Sequence, residues 1–196
     1  GAGERVKVYQ ELEPRVGLKF GIDETSSIKA SYDITRQYQH LISNTSSTTP
    51  ADYWKSTDRN IKPLVNNQVA AGYFKNFMGN IIETSVELYF KTSDNVLEYK
   101  NGAVLSMNPT IEQDVIAGHA RAYGMELMVK KNAGNLTGWL SYTLSRSEIQ
   151  AQRAFEEETI NNGSYYPTYN DRLHDLTFSL NYQLSRRWTA GTNFLF

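Results

Sequence analysis

Imidazole can bind a metal or carry a proton near neutral pH, so His40, His119 and His174, the only histidines, are the first residues to weigh for chemistry. Their spacing supports neither role. A zinc site needs ligands at short fixed intervals such as His-x-x-x-His; these three stand far apart, and the chain has no cysteine to supply a thiolate. His174-Asp175 lies near several serines, but neighbours in an extended strand face opposite sides, and no Gly-x-Ser-x-Gly turn exposes a nucleophile. No catalytic residue, metal or cofactor is therefore predicted, and the chain reads as a non-enzyme. Glu156-Glu157-Glu158 could collect cations at the cell surface, but a solvated loop is the favoured reading. The stronger binding candidates are Tyr53, Trp54, Tyr165 and Tyr166, which stand in long polar stretches beside Asp52, Asn60, Asn161 and Asn162. Apolar rings next to hydrogen-bonding groups can hold a sugar, a peptide or a siderophore; the competing reading is loop packing or an aromatic girdle.

Those stretches belong to a rhythm. Four short turns, Asp23–Ser26, Phe77–Asn80, Asn132–Asn135 and Ser185–Arg187, recur at intervals of about 55 residues, against about 8–12 between turns in soluble sandwiches. Between the hairpins run long stretches near 43–67, 93–120 and 147–170, which exceed ordinary loops. Short turns at one end and long loops at the other is the asymmetry of an outer-membrane barrel.

Strand alternation separates two faces. One is apolar: Val16 to Ile22 and Ile28 to Ile34 at every second residue, then Ile82 to Phe90, Tyr123 to Val129, Leu136 to Leu144, Leu176 to Leu184 and Trp188 to Phe196. The third strand is ambiguous, because Val69, Ala71, Tyr73 and Ala70, Gly72, Phe74 are almost equally apolar; the reading leans to the first set. About 35 positions on this face hold no charged residue, as a lipid-facing surface requires, since a charge at the bilayer midplane costs about 2–4 kcal/mol. The other face, with Lys19, Lys29, Asp33, Glu83, Glu87 and Lys91, is polar and of mixed sign.

Whole-chain averages hide this pattern. With 40% hydrophobic residues, 21% charged and a mean hydropathy of −0.52, the composition would suit a soluble domain. The 20 basic and 21 acidic residues are interspersed, which removes nucleic acid as a partner. Alternation alone also fits a soluble, lipocalin-like barrel with its apolar face inward, which would carry a ligand inside. Strand length breaks the tie: each strand reaches about 10 residues, close to the 9–11 that a tilted strand needs to cross a bilayer. Aromatics also collect near strand ends, with Phe20, Phe77, Trp139 and Trp188 toward the short turns and Tyr38, Tyr89, Tyr142 and Tyr169 toward the loops. The N-terminal Gly1-Ala2-Gly3-Glu4-Arg5 has no apolar signal region, so the chain reads as a piece of a longer one.

The runs Arg121–Lys131 and Leu136–Ser147 around their Asn132–Asn135 turn resemble the barrel of TonB-dependent receptors from Bacteroidetes. Tyr166–Asp175 before a strand, Ser185–Trp188, and Glu13-Pro14-Arg15 at a strand opening are similar to the same family in the same order. The resemblance implies an outer-membrane receptor importing a nutrient of the siderophore, oligosaccharide, peptide or vitamin class. It implies partners as well: outer-membrane lipid, a plug domain, TonB and a small ligand. The fold expected is all-β, an antiparallel up-and-down meander of about eight long strands over residues 1–196, a segment of a transmembrane β-barrel. A partial ninth strand is expected at Arg5–Gln10, and unpaired edges could drive self-association. A soluble ligand-binding barrel and a barrel enzyme, such as a surface protease or lipase, are the alternatives.

Overall fold

The computed structural model describes residues 9–42, 53–57, 61–100, 114–151 and 159–196. Eight antiparallel strands form one meander: β1 (Arg15–Asp23), β2 (Ser26–Gln37), β5 (Leu64–Phe77), β6 (Ile82–Tyr99), β7 (Val115–Lys131), β8 (Leu136–Gln150), β10 (His174–Gln183) and β11 (Thr189–Leu195). A small hairpin of β3 (Gln39–Ile42) and β4 (Tyr53–Ser56) stands between β2 and β5, and a two-residue β9 (Tyr166–Pro167) pairs with β8. Among the described residues β1 and β11 each leave one edge unpaired, so the sheet is open.

The turns hold themselves shut. The Asp23 carboxylate accepts hydrogen bonds from the Thr25 N–H (2.7 Å), the Thr25 hydroxyl (2.8 Å) and the Ser26 hydroxyl (2.9 Å), with the Lys75 ammonium at 3.4 Å. Those donors, the Thr25 hydroxyl foremost, hold the Asp23 carboxyl below its ordinary range. Between β5 and β6 the chain reverses through Met78, Gly79 and Asn80, all with positive φ.

The register decides which residues share a face, because directly paired residues of an antiparallel ladder point to the same side. Leu18 pairs with Ala30, Ala30 with Ala71, Ala71 with Leu88 and Leu88 with Met125; Met125 pairs with Leu144, and farther along the sheet Leu140 pairs with Phe178 and Phe178 with Phe194. Every strand's apolar set thus lies on one continuous face. The third strand is settled by the same ladder, with Val69, Ala71 and Tyr73 between Tyr32, Ala30 and Ile28 on one side and Phe90, Leu88 and Val86 on the other. Trp139 and Tyr89 fall on the polar face, paired with Ser179 and Gly124, and so leave the expected girdles. Gly138, with φ +145, serves close approach: a Cβ there would stand 2.1 Å from the Ser179 carbonyl oxygen.

Three expectations are corrected. The strands run past the expected loop boundaries: β5 starts at Leu64, β6 reaches Tyr99, β7 starts at Val115 and β8 ends at Gln150. At 18, 17 and 15 residues, β6, β7 and β8 exceed the roughly 9–11 that cross a bilayer and stand above it as a ribbon. The alternation had concealed this because Asn95 (φ 61) is a bulge between Asp94 and Val96, and one extra residue exchanges the faces of everything beyond it. Second, β3, β4 and β9 were unforeseen. Third, Tyr9 and Gln10 are not in a strand, and the rest of the expected strand from Arg5 lies outside the described residues.

Candidate functional site

On the apolar face the belt ends at a stacked pair, Phe90 and Tyr123, with ring centroids 6.5 Å apart. From the level of this pair toward the loops the same face becomes ionic. The Arg121 Nε donates to Glu148 Oε2 at 2.8 Å, His119 Nδ1 lies 2.6 Å from Asp94 Oδ1, and an Arg146 guanidinium nitrogen meets Asp171 Oδ2 at 2.9 Å. A change from uncharged to paired-charge surface within two residues marks the level at which hydrocarbon gives way to water.

The segment 159–173 is tied to this ribbon. The Thr168 N–H donates to the Ser147 carbonyl (2.9 Å), the Ser147 N–H to Asp171 Oδ1 (2.6 Å), and the Gln150 amide to the Gly163 carbonyl (2.6 Å). Tyr165 and Tyr166, adjacent in sequence, part company here. The Tyr165 ring covers the Arg121 guanidinium at 4.1 Å on the outer side. Tyr166 pairs with Ile149 and donates its hydroxyl to Glu98 Oε2 at 3.3 Å on the opposite side. Burial, then the Glu98 charge, pushes the Tyr166 hydroxyl up to about 12. Neighbouring Ile116, Ile149 and Ala151 are buried and support this patch. Asn161 and Asn162 form a left-handed turn, with the Asn161 amide directed at the Ser164 and Tyr165 carbonyls.

The other candidate pair lies on β4. Tyr53 pairs with Ile42 and Trp54 with Leu41; Trp54 is 66% exposed, a free aromatic surface on the loop side. Asp52 and Asn60 lie outside the described residues, as does Glu156–Glu158. Sequence reasoning passed over what anchors this hairpin: buried His40, whose Nε2 is 3.0 Å from the Lys62 carbonyl oxygen. Burial pushes its pKa below the ordinary histidine value. The rim therefore offers aromatic and polar surfaces for binding. Among the described residues no group of three or more potential metal ligands is present.

The polar face carries an ordered row that only the register exposes. Lys19 pairs with Lys29, Lys29 with Gly72, Gly72 with Glu87, and Glu87 with Glu126. Lys29 Nζ sits 4.0 Å over the Phe74 ring. At Gly72 a Cβ would come within 2.7 Å of Glu87 Cγ and 3.0 Å of the Phe74 ring, so these two side chains occupy the space a larger residue would need.

Known structures share the fold of this sheet. The alcaligin outer-membrane receptor FauA of Bordetella pertussis superposes with a TM-score of 0.58 at 18% identity, over 95% of this chain and 29% of that one. The ferric-catecholate import receptor Fiu of E. coli K12 gives 0.61 at 17% identity, over 91% of this chain and 23% of that one. The chain thus spans less than a third of either receptor and shares their fold. No curated protein matches it. The family model "TonB dependent receptor-like, beta-barrel" matches residues 3–196, and the chain belongs to that family.

Proposed function

We propose that this chain forms part of the wall of a TonB-dependent receptor that imports a scarce nutrient, with a plug domain inside the completed barrel and TonB supplying energy from the periplasmic side. Family membership places the chain in the outer membrane. The observation that carries the reading is the single charge-free belt, continuous through eight strands, with paired charges directly above it. In this reading the apolar face meets lipid, the polar face lines the lumen, and the loop-side rim faces outside the cell. The cargo belongs to the siderophore, oligosaccharide, peptide or vitamin class, and Trp54 and Tyr166, with Tyr53, are the rim aromatics proposed to meet it, while Tyr165, over Arg121 on the outer side, is turned away from the lumen. The open edges of β1 and β11 are completed by further strands of the receptor, and the isolated segment would self-associate through them. The Bacteroidetes branch of the family is part of the same proposal, as is the absence of catalysis. Nothing observed favours a soluble carrier.

Uptake of labelled candidate nutrients by cells with and without the full gene, each with and without TonB, tests the function. Import that needs both supports it. Import of every candidate unchanged by loss of the gene would sink it.

A further inference from the structure

The rim segment 159–173 contains a pair of residues whose reactivity the fold controls. Asn162-Gly163 is one of two Asn-Gly steps in the chain; the other, Asn101-Gly102, lies outside the described residues. An Asn-Gly step is prone to self-modification, because glycine has no Cβ to hinder its own nitrogen from closing a ring onto the asparagine side chain. Asn162 is exposed, and among the described residues its side-chain amide has no hydrogen-bond partner, so nothing shields its Cγ from water. The backbone forbids the closure. At φ 53 and ψ 31 the Gly163 nitrogen stands on the far side of the Cα–C bond from the Asn162 Cβ, where no five-membered ring can form. The Gly163 N–H is also committed, donating to the Ile160 carbonyl at 3.0 Å. Two further bonds hold that shape: the Gln150 amide donates to the Gly163 carbonyl at 2.6 Å, and the Ile160 N–H donates to the carbonyl of fully buried Ala151 at 3.0 Å.

We propose that Asn162-Gly163 is a one-way modification site gated by the opening of this segment. When the Gln150 clamp releases, ψ at Asn162 is free to rotate and the Gly163 nitrogen reaches Cγ. That nitrogen loses its proton and attacks Cγ; the bond from Cγ to the side-chain nitrogen breaks, and ammonia leaves carrying the balancing proton. Water then opens the resulting succinimide. Addition at Cγ leaves an ordinary aspartate, whereas addition at the backbone carbonyl carbon leaves an isoaspartate, whose main chain runs through Cβ and Cγ and is one carbon longer. Water is the one reagent consumed, and nothing is oxidised or reduced. An extra main-chain carbon between Ile160 and Gly163 does not fit the tight turn that their hydrogen bond closes. The isoaspartate form therefore stays open: Tyr165 loses its seat on Arg121, and Tyr166 its bond to Glu98. Each receptor thus carries a chemical record of its own opening. The reaction stands on the turn alone, and only its effect on uptake rests on the function proposed above.

The test holds the full-length receptor, in lipid vesicles, in mildly alkaline buffer and samples it by peptide mass spectrometry that separates asparagine, aspartate and isoaspartate at position 162. Rates are compared for the native protein, the Gln150→Ala variant and protein unfolded in guanidinium, where Asn101-Gly102 serves as the chemical standard. The expected order is unfolded fastest, Gln150→Ala intermediate and native slowest, at least about tenfold below unfolded, since only locally opened molecules react. Equal rates in native and unfolded protein overturn the gate, as does a Gln150→Ala rate equal to the native one. No conversion at 162 in unfolded protein whose Asn101-Gly102 step converts overturns the site itself. Should Gln150→Ala prevent folding, the native-to-unfolded comparison decides alone. Limited proteolysis reads the consequence: isoaspartate molecules are cut between 159 and 173 at least about tenfold faster than unmodified ones, and equal cutting overturns the one-way loosening. Uptake that never depended on the gene would sink the function proposed above and leave these rates unchanged.

Discussion

Replacing Leu88 by lysine tests the orientation of the whole sheet. Leu88 is 56% exposed and paired with Ala71 and Met125 in the middle of the apolar belt. It lies six residues into β6 from Ile82, and six steps of about 3.3 Å at a tilt of about 40° put it about 15 Å along the membrane normal, near the middle of an apolar band about 25 Å tall. A lysine at that depth costs about 2–4 kcal/mol, which is about a 30- to 900-fold loss in the folding equilibrium. Glu87, the next residue, faces the opposite way across from Glu126, so Glu87→Lys should change stability by less than about 0.5 kcal/mol or raise it by relieving that repulsion. Thr92→Lys, on the lipid side but about 25 Å from Ile82, stands at the edge of the band and should cost about 0–1 kcal/mol. The assay is denaturant unfolding of the full-length receptor in lipid vesicles, with Leu88→Ala subtracted to remove lost packing. A soluble barrel would also resent Leu88→Lys, but it would show no graded relief toward the strand end. Equal costs at 87 and 88, or a cost at 92 as large as at 88, would refute the argument.

Three further outcomes are expected. Gly138→Ala forces a Cβ against the Ser179 carbonyl at a φ unsuited to L residues, and should lower stability by about 1–3 kcal/mol in the same assay; an unchanged midpoint would show that the strands yield at no cost. For His40 the folded pKa lies below the unfolded value, so its stabilising contribution is full above about pH 6.5 and declines as pH falls below it. Amide protection in the β3–β4 hairpin, measured relative to the intrinsic exchange rate at each pH, should therefore weaken from pH 7.5 to 5, and a His40→Gln variant that keeps the same pH dependence would dismiss the histidine as its cause. For Tyr166 the folded pKa is raised, so its contribution is present below about pH 10 and is lost as pH climbs toward 12; Tyr166→Phe should cost about 0.5–1.5 kcal/mol and delete one late component from the ultraviolet tyrosine titration.

The membrane-crossing part of this fold was legible because a bilayer imposes a period-two pattern whose violation is expensive. Val86, Leu88 and Phe90 could be placed on one face without any knowledge of their neighbours, and the short turns followed from where that pattern stopped. Past Phe90 both faces meet water and the penalty disappears, so Asp94, His119, Arg121 and Glu148 can pair on the outer face without leaving a hydropathy signal. The Asn95 bulge removes the remaining cue by shifting phase in mid-strand. What the candidate site needed was therefore pairing rather than periodicity. Alternation alone would have parted Tyr165 from Tyr166, since it had already parted His174 from Asp175, but Arg121 and Glu98 as their respective partners come from other strands. The lysine and glutamate pairs make the same point more sharply. Lys19, Lys29 and Glu87 each read as ordinary lumen-facing polar residues along their own strands, and the unfavourable neighbours that set them apart exist only across the ladder, where the chain has travelled ten residues or more before returning. Function in a sheet of this kind is written in the direction perpendicular to the strands, and a sequence is read along them.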